Sequence, residues 1–150
     1  MSFSHSPFRT PVVAVIGGLI TAMTSASPIE TYRDKNRLIL LSLPTAAAAQ
    51  QTSATLADFR AQIEERHVKV IDLSPHATHI PQTVRMTAEQ TAQLRKEFRL
   101  ATDETRAIFL LIGKDGGEKA RQSGALDLKQ WCALIDQMPM RRQEMKEQQR

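Results

Sequence analysis

Apolar and polar positions alternate along most of this chain in two distinct rhythms. Residues 37–43 (RLILLSL) and 107–112 (AIFLLI) are nearly continuous apolar runs, too short for ordinary helices and with no polar face to turn to water. They predict strands covered on both sides. Residues 67–73 (HVKVIDL) predict a further strand. Between the first two of these, Leu56, Phe59 and Ile63 share one face of a helix expected over 55–66, with Asp58, Arg60, Glu64 and Glu65 elsewhere. The preceding residues 45–53 (TAAAAQQTS) read as an alanine-rich loop. A loop over 74–86 carries Pro75 and Pro81, and Thr87 with Gln90 then makes the capping box of a second helix through Arg99, packed by Leu94 and Phe98.

The clearest stretch is 106–145. Its strand stops at Gly113-Lys114-Asp115-Gly116-Gly117, where Asp115-Gly116 suits the positive φ angles of a two-residue type I′ hairpin turn. The chain then reverses into 118–122 (EKARQ), which alternates but is largely charged, as befits an edge strand that resists pairing with other chains. Asp127 is placed to cap a third helix, whose stripe is Leu128, Trp131, Ile135 and Met138, and Pro139 ends or kinks it. Strand, helix, strand, helix, strand, strand, helix predicts an α/β fold. Its four-stranded mixed sheet has helices on both faces, the strands at 37 and 106 in the middle and the charged strand at the edge. That is the element order of the thioredoxin core.

Length and composition fit one domain: 150 residues, 41% apolar, are enough to bury a core. The first residues differ in kind. Arg9 precedes 12–23 (VVAVIGGLITAM), a run without charge, and Thr24-Ser25-Ala26 follows with small side chains. This pattern predicts a secretory signal over 1–26, a globular domain over 27–145 and a polar tail over 146–150. A spanning helix needs about 20 apolar residues. This run is shorter and contains Gly17-Gly18, so no membrane span is expected after cleavage, and the mature chain should be periplasmic or secreted. Cys132 is the single cysteine, which excludes an internal disulfide and dithiol chemistry. Beside Trp131 in the last helix, it suits a small core-edge residue better than a nucleophile.

The stretches LIGKDGGEKAR (111–121) and IDQMPMRRQEM (135–145) resemble the P-DUDES group, a thioredoxin-like domain of unknown function. It is shared by many exported bacterial proteins and by vertebrate matrix proteins with sushi or related repeats. The resemblance implies a thioredoxin-like or peroxiredoxin-like fold, secretion and no established catalytic activity. In thioredoxin-like enzymes the reactive thiolate follows the first strand at a helix N-terminus. Here 44–53 holds no cysteine, and 101–105 lacks the proline expected before the central hairpin strand, so thiol redox and peroxidase activity are not expected.

Three other groups are candidates for binding. His76 and His79 form an HxxH on the loop that should lie at the carboxyl edge of the sheet, where open α/β sheets bind ligands, with Arg85 nearby. His67 or Asp72 would be needed to complete a metal set; two loop histidines alone lack a zinc geometry, and no metal or cofactor is assigned. Gly113, Gly116 and Gly117 surround Lys114 but join two strands instead of leading into a helix, so they make a turn and not a phosphate cradle, leaving Lys114 as a surface contact. Arg141 and Arg142 follow Pro139 and offer charge-assisted hydrogen bonds to a partner or to the protein's own carboxylates. The formal charge of +4 falls to +3 on loss of Arg9, and no aromatic platform remains outside the core, so nucleic acid is not an expected partner. The reading is a non-catalytic protein-interaction or ligand-binding module whose partner is an envelope or extracellular protein. The alternative is an enzyme or metal-binding protein using His76, His79 and Arg85.

Overall fold

All six residues of β1, Arg37–Ser42, are buried, because this strand is sandwiched in both directions of the sheet and on both of its faces. A computed structural model of the chain describes residues 26–75 and 80–150. The expected signal, apart from its last residue, and the His76 and His79 pair lie outside the described residues. β1 runs parallel to β2 (Val68–Asp72), with Leu40 beside Ile71, and antiparallel to β4 (Ile108–Ile112), with Leu40 beside Leu110. β5 (Glu118–Ser123) pairs antiparallel with β4 at one edge. A two-residue strand, β3 (Thr83–Val84), pairs in parallel with β2 at the other. The order is β3-β2-β1-β4-β5, so the sheet has five strands where four were expected. A pair of residues is too short to show a period of two. It is set in place by the turn before it, where Gln82 has φ 74° and the Thr83 hydroxyl donates to the Ile80 carbonyl at 2.9 Å.

Strand alternation sorts the core into two layers. Ile39, Leu41, Leu43, Phe109 and Leu111 pack with Ala49, Leu56 and Ile63 of α1 (Ala46–Asp58) and α2 (Arg60–Glu65), and with Leu128, Trp131 and Ile135 of α4 (Leu128–Asp136). Leu38, Leu40, Ile71, Leu110 and Ile112 pack with Leu94 and Phe98 at α3 (Ala88–Glu97). Helices therefore cover both faces.

Three local expectations are corrected. The alanine-rich segment is helix, not loop: alanine has the highest helix propensity, and Thr45 accepts from the Ala48 N–H to cap it. The helix expected over 55–66 is divided at Phe59 into the end of α1 and a separate α2. The hairpin turn is also not type I′. Gly116 donates to the Gly113 carbonyl at 3.0 Å and Gly113 to that of Gly117 at 2.9 Å, closing a three-residue loop, Lys114-Asp115-Gly116. Only Gly116 within it has positive φ, +81°. This is a type I turn completed by a left-handed glycine, the next most common hairpin connection. The capping box of Thr87 and Gln90 and the Asp127 cap form as the sequence indicates. Pro139 occupies the first turn of a further helix, α5 (Pro139–Gln148), which carries the chain through most of the expected polar tail.

Candidate functional site

The carboxyl end of the sheet is where this architecture usually binds ligands. β1 passes through Leu43 and Pro44 to Thr45, and the first turn of α1 presents only alanines. Ser74 ties the neighbouring loop down, its hydroxyl accepting from the Leu43 N–H at 2.9 Å while its own N–H donates to Asp72 at 2.9 Å. Arg95 of α3 is the charged group beneath these loops. α3 closes in a Schellman motif, with Leu100 N–H on the Arg95 carbonyl at 2.8 Å and Arg99 in the left-handed region at φ 53°. The reversal brings the Ala101 carbonyl over the Arg95 side chain. The guanidinium donates to Ala101, to the Leu73 carbonyl and to the Ser42 hydroxyl, the last at 2.9 Å. These acceptors are all neutral. Among the described residues no carboxylate makes an ion pair with Arg95 and its Nε has no partner, and burial, only partly opposed by the charge of Glu104, lowers its affinity for the proton. It serves as a clamp on three loop ends.

The amino end of the sheet is built differently. Arg37 opens β1 at 1% exposure, and its guanidinium grips Glu144 of α5 with both Nη atoms, at 3.1 and 3.2 Å, while Nη1 also donates to the Arg66 carbonyl at 2.8 Å. Lys114 in the hairpin turn puts its ammonium 2.7 Å from Glu144 Oε1, the oxygen that Arg37 Nη2 also holds. The ammonium also lies 3.2 Å from His67 Nδ1. Arg141, also 1% exposed, donates to the Glu65 carbonyl at 3.2 Å, to the Glu65 carboxylate and to Asp136 at 3.3 Å. Arg66 forks onto Asp136 at 3.0 and 2.6 Å. Four cations, Arg37, Arg66, Lys114 and Arg141, thus share three carboxylates, Glu65, Asp136 and Glu144. Burial alone pushes the Glu144 carboxyl up, but hydrogen bonds and charge from Arg37 and Lys114 outweigh it and hold the group below the ordinary carboxylate range. Burial likewise opposes, and Arg66 with Arg141 overcomes, for Asp136.

The candidates singled out from sequence are therefore dispersed. Lys114 is not a surface contact: it is 7% exposed and paired within the chain, as is Arg141. Arg142, one residue on, is exposed. Arg85 is exposed directly after β3. His67 and Asp72, both considered for a metal set with the 76–79 loop, flank opposite ends of β2, roughly 16 Å apart at about 3.3 Å per residue. His67 belongs to the Lys114 and Glu144 group and Asp72 to the carboxyl end, so they cannot act together. Among the described residues no cluster of three potential metal ligands exists. Arg95 and Glu144 were missed. Arg95 had one visible signal, its place between Leu94 and Phe98 on the buried face of a helix.

Beside the ion cluster, the hairpin turn and the α4–α5 joint enclose a cavity of about 380 Å³. Arg37, Gly113, Lys114 and the paired Asp115 and Lys119 line one side, and Met138, Pro139 and Met140 the other.

The mixed sheet with helices on both faces is a thioredoxin-like fold. Among solved structures, the chain is similar to reduced 2-Cys peroxiredoxin of Plasmodium vivax, at 16% identity over 71% of this chain and 78% of that one, with a TM-score of 0.54. The mitochondrial 2-Cys peroxiredoxin of Plasmodium falciparum aligns at 9% identity over 71% and 77%, with a TM-score of 0.51. No curated protein shows significant similarity to it. The chain belongs to the family described as a domain of unknown function, DUF4174, whose model matches residues 28–144.

Proposed function

We propose that this chain is an exported binding module that uses a thioredoxin-like scaffold without thiol chemistry, with an envelope or extracellular protein, or a small ligand, as its partner. The observation that supports this reading is the composition of the first turn of α1. Where the fold can hold a thiolate nucleophile, this chain has Pro44, Thr45 and a run of alanines, none of which carries a thiol. Cys132 offers no substitute. It lies on α4, and burial pushes its thiol up, away from the thiolate that redox chemistry requires. Export rests on the charge and hydrophobicity pattern of residues 1–26, and it agrees with the likeness of 111–121 and 135–145 to the P-DUDES group.

The test expresses the full chain in a bacterial host. N-terminal sequencing of the periplasmic product should begin at Ser27, and peroxide consumption and disulfide reduction by the purified protein should stay at the blank rate with and without Cys132→Ser. Affinity capture from an envelope extract should then retain a partner. Turnover that vanishes in Cys132→Ser would overturn the non-redox reading, and an unprocessed cytoplasmic product would overturn export.

A further inference from the structure

We propose that the cavity between the β4–β5 turn and the α4–α5 joint binds a monocarboxylate carried on a small apolar body. This inference deepens the binding-module reading and rests on it. Three independent features converge on this cavity. Met140, at 42% exposure, is the one exposed large apolar side chain among the described residues, and it stands in the cavity wall next to Met138 and Pro139. Unbranched thioether side chains adapt their shape to a varied apolar partner. In the facing wall, Arg37 is 1% exposed, yet its Nε has no acceptor. A buried guanidinium N–H without a partner is costly, and it leaves the positive charge of this wall less compensated.

The charge balance points the same way. Arg37 and Lys114 share Glu144, and across the whole cluster four cations face three carboxylates, leaving one positive charge unmatched beside the cavity. Lys119 at the rim is already paired with Asp115. One unmatched cation with apolar walls suits a single carboxylate better than a doubly charged phosphate. The volume of about 380 Å³ lies within the range of roughly 300–1,000 Å³ typical of small-molecule sites. A carboxylate against this wall answers that unmatched charge while the Glu144 fork, made by the two Nη atoms of Arg37, stays intact. Such a carboxylate belongs either to a free aliphatic acid or to the C-terminus of a peptide ending in an apolar residue.

Isothermal titration of the full chain separates these cases, with octanoate, octanol, N-acetyl-Leu-Leu with a free carboxylate and the same dipeptide as its amide. Octanoate should bind at least about tenfold tighter than octanol, and Met140→Asp should weaken octanoate by about tenfold or more, whereas Arg142→Ala should leave it unchanged. If the peptide acid binds and its amide does not, chain termini are ligands; if only octanoate binds, the ligand is a free acid. Octanol binding as tightly as octanoate, Met140→Asp without effect, or no binding of either octanoate or the peptide acid at low-millimolar concentration would each overturn the proposal. Should Met140→Asp lose its far-UV circular dichroism, Lys119→Glu at the rim decides in its place, with the same weakening expected. Retention of a protein by the full chain from envelope extract, alongside failure of both acids, would refute this cavity while leaving the binding-module reading intact.

Discussion

Arg37 and Arg95 are both more than nine-tenths buried and sit at opposite ends of the same sheet, yet they are held in different ways. Arg37 meets a carboxylate that also serves Lys114, whereas Arg95 meets only a hydroxyl and two carbonyls. At the amino end, charge is matched to charge and the helix α5 is fastened to the sheet through ions. At the carboxyl end, where this fold's ligands usually sit, the same side-chain type works as a hydrogen-bonding strut between loops. Among the described residues, the buried cation at the carboxyl end meets only neutral acceptors, and the ion cluster lies at the far side.

That contrast can be broken first at Glu144. Glu144→Gln removes the shared counter-ion of two buried cations, and urea unfolding should show a loss of about 3–5 kcal/mol at unchanged m-value. A loss under about 1 kcal/mol would mean that the cluster behaves as a solvated surface. Arg95→Met should be milder, about 1–3 kcal/mol, because it strands three acceptors but also relieves the burial of an unmatched charge. If it cost more than Glu144→Gln, the distinction between the two ends would fail.

Acid unfolding sharpens the comparison. Glu144 and Asp136 titrate below their ordinary range in the folded protein, so the unfolded chain binds more protons as pH falls. Their contribution is fully present above the unfolded carboxylate pKa and should be lost as pH drops below about 4. Denaturant midpoints measured from neutral to acidic pH should fall less steeply for Glu144→Gln than for the unaltered chain. An equal slope would place the acid-labile groups elsewhere. Thr45→Ala removes only the cap of α1 and should cost about 1 kcal/mol in the same assay. Arg142→Ala, altering an exposed side chain, should change stability by less than about 0.5 kcal/mol.

Much of the architecture was legible without coordinates because it depends on short-range rules. The apolar runs at 37–43 and 107–112 became the two central strands, the Thr87–Gln90 box and the Asp127 cap started their helices, and the charged 118–122 segment became an edge. Where local rules competed, the reading slipped. Alanine's helix propensity turned an expected loop into α1, and a left-handed Gly116 alone was enough to turn the hairpin.

The polar chemistry was a different matter. Arg37 and Glu144 lie 107 residues apart, and Arg141 and Glu65 lie 76 apart, so no spacing along the chain could announce either pair. The sequence by itself determined which segments would be strands and helices and which faces they would bury, since periodicity and caps act over a few residues. Only the tertiary structure decided that Lys114 and Arg141 would turn inward, that Arg95 would hydrogen-bond only neutral acceptors, and that Met138, Pro139 and Met140 would wall a cavity. Those outcomes depend on which distant backbones the packed sheet brings within reach of one another, because a buried charge takes its partner from whatever the fold places beside it.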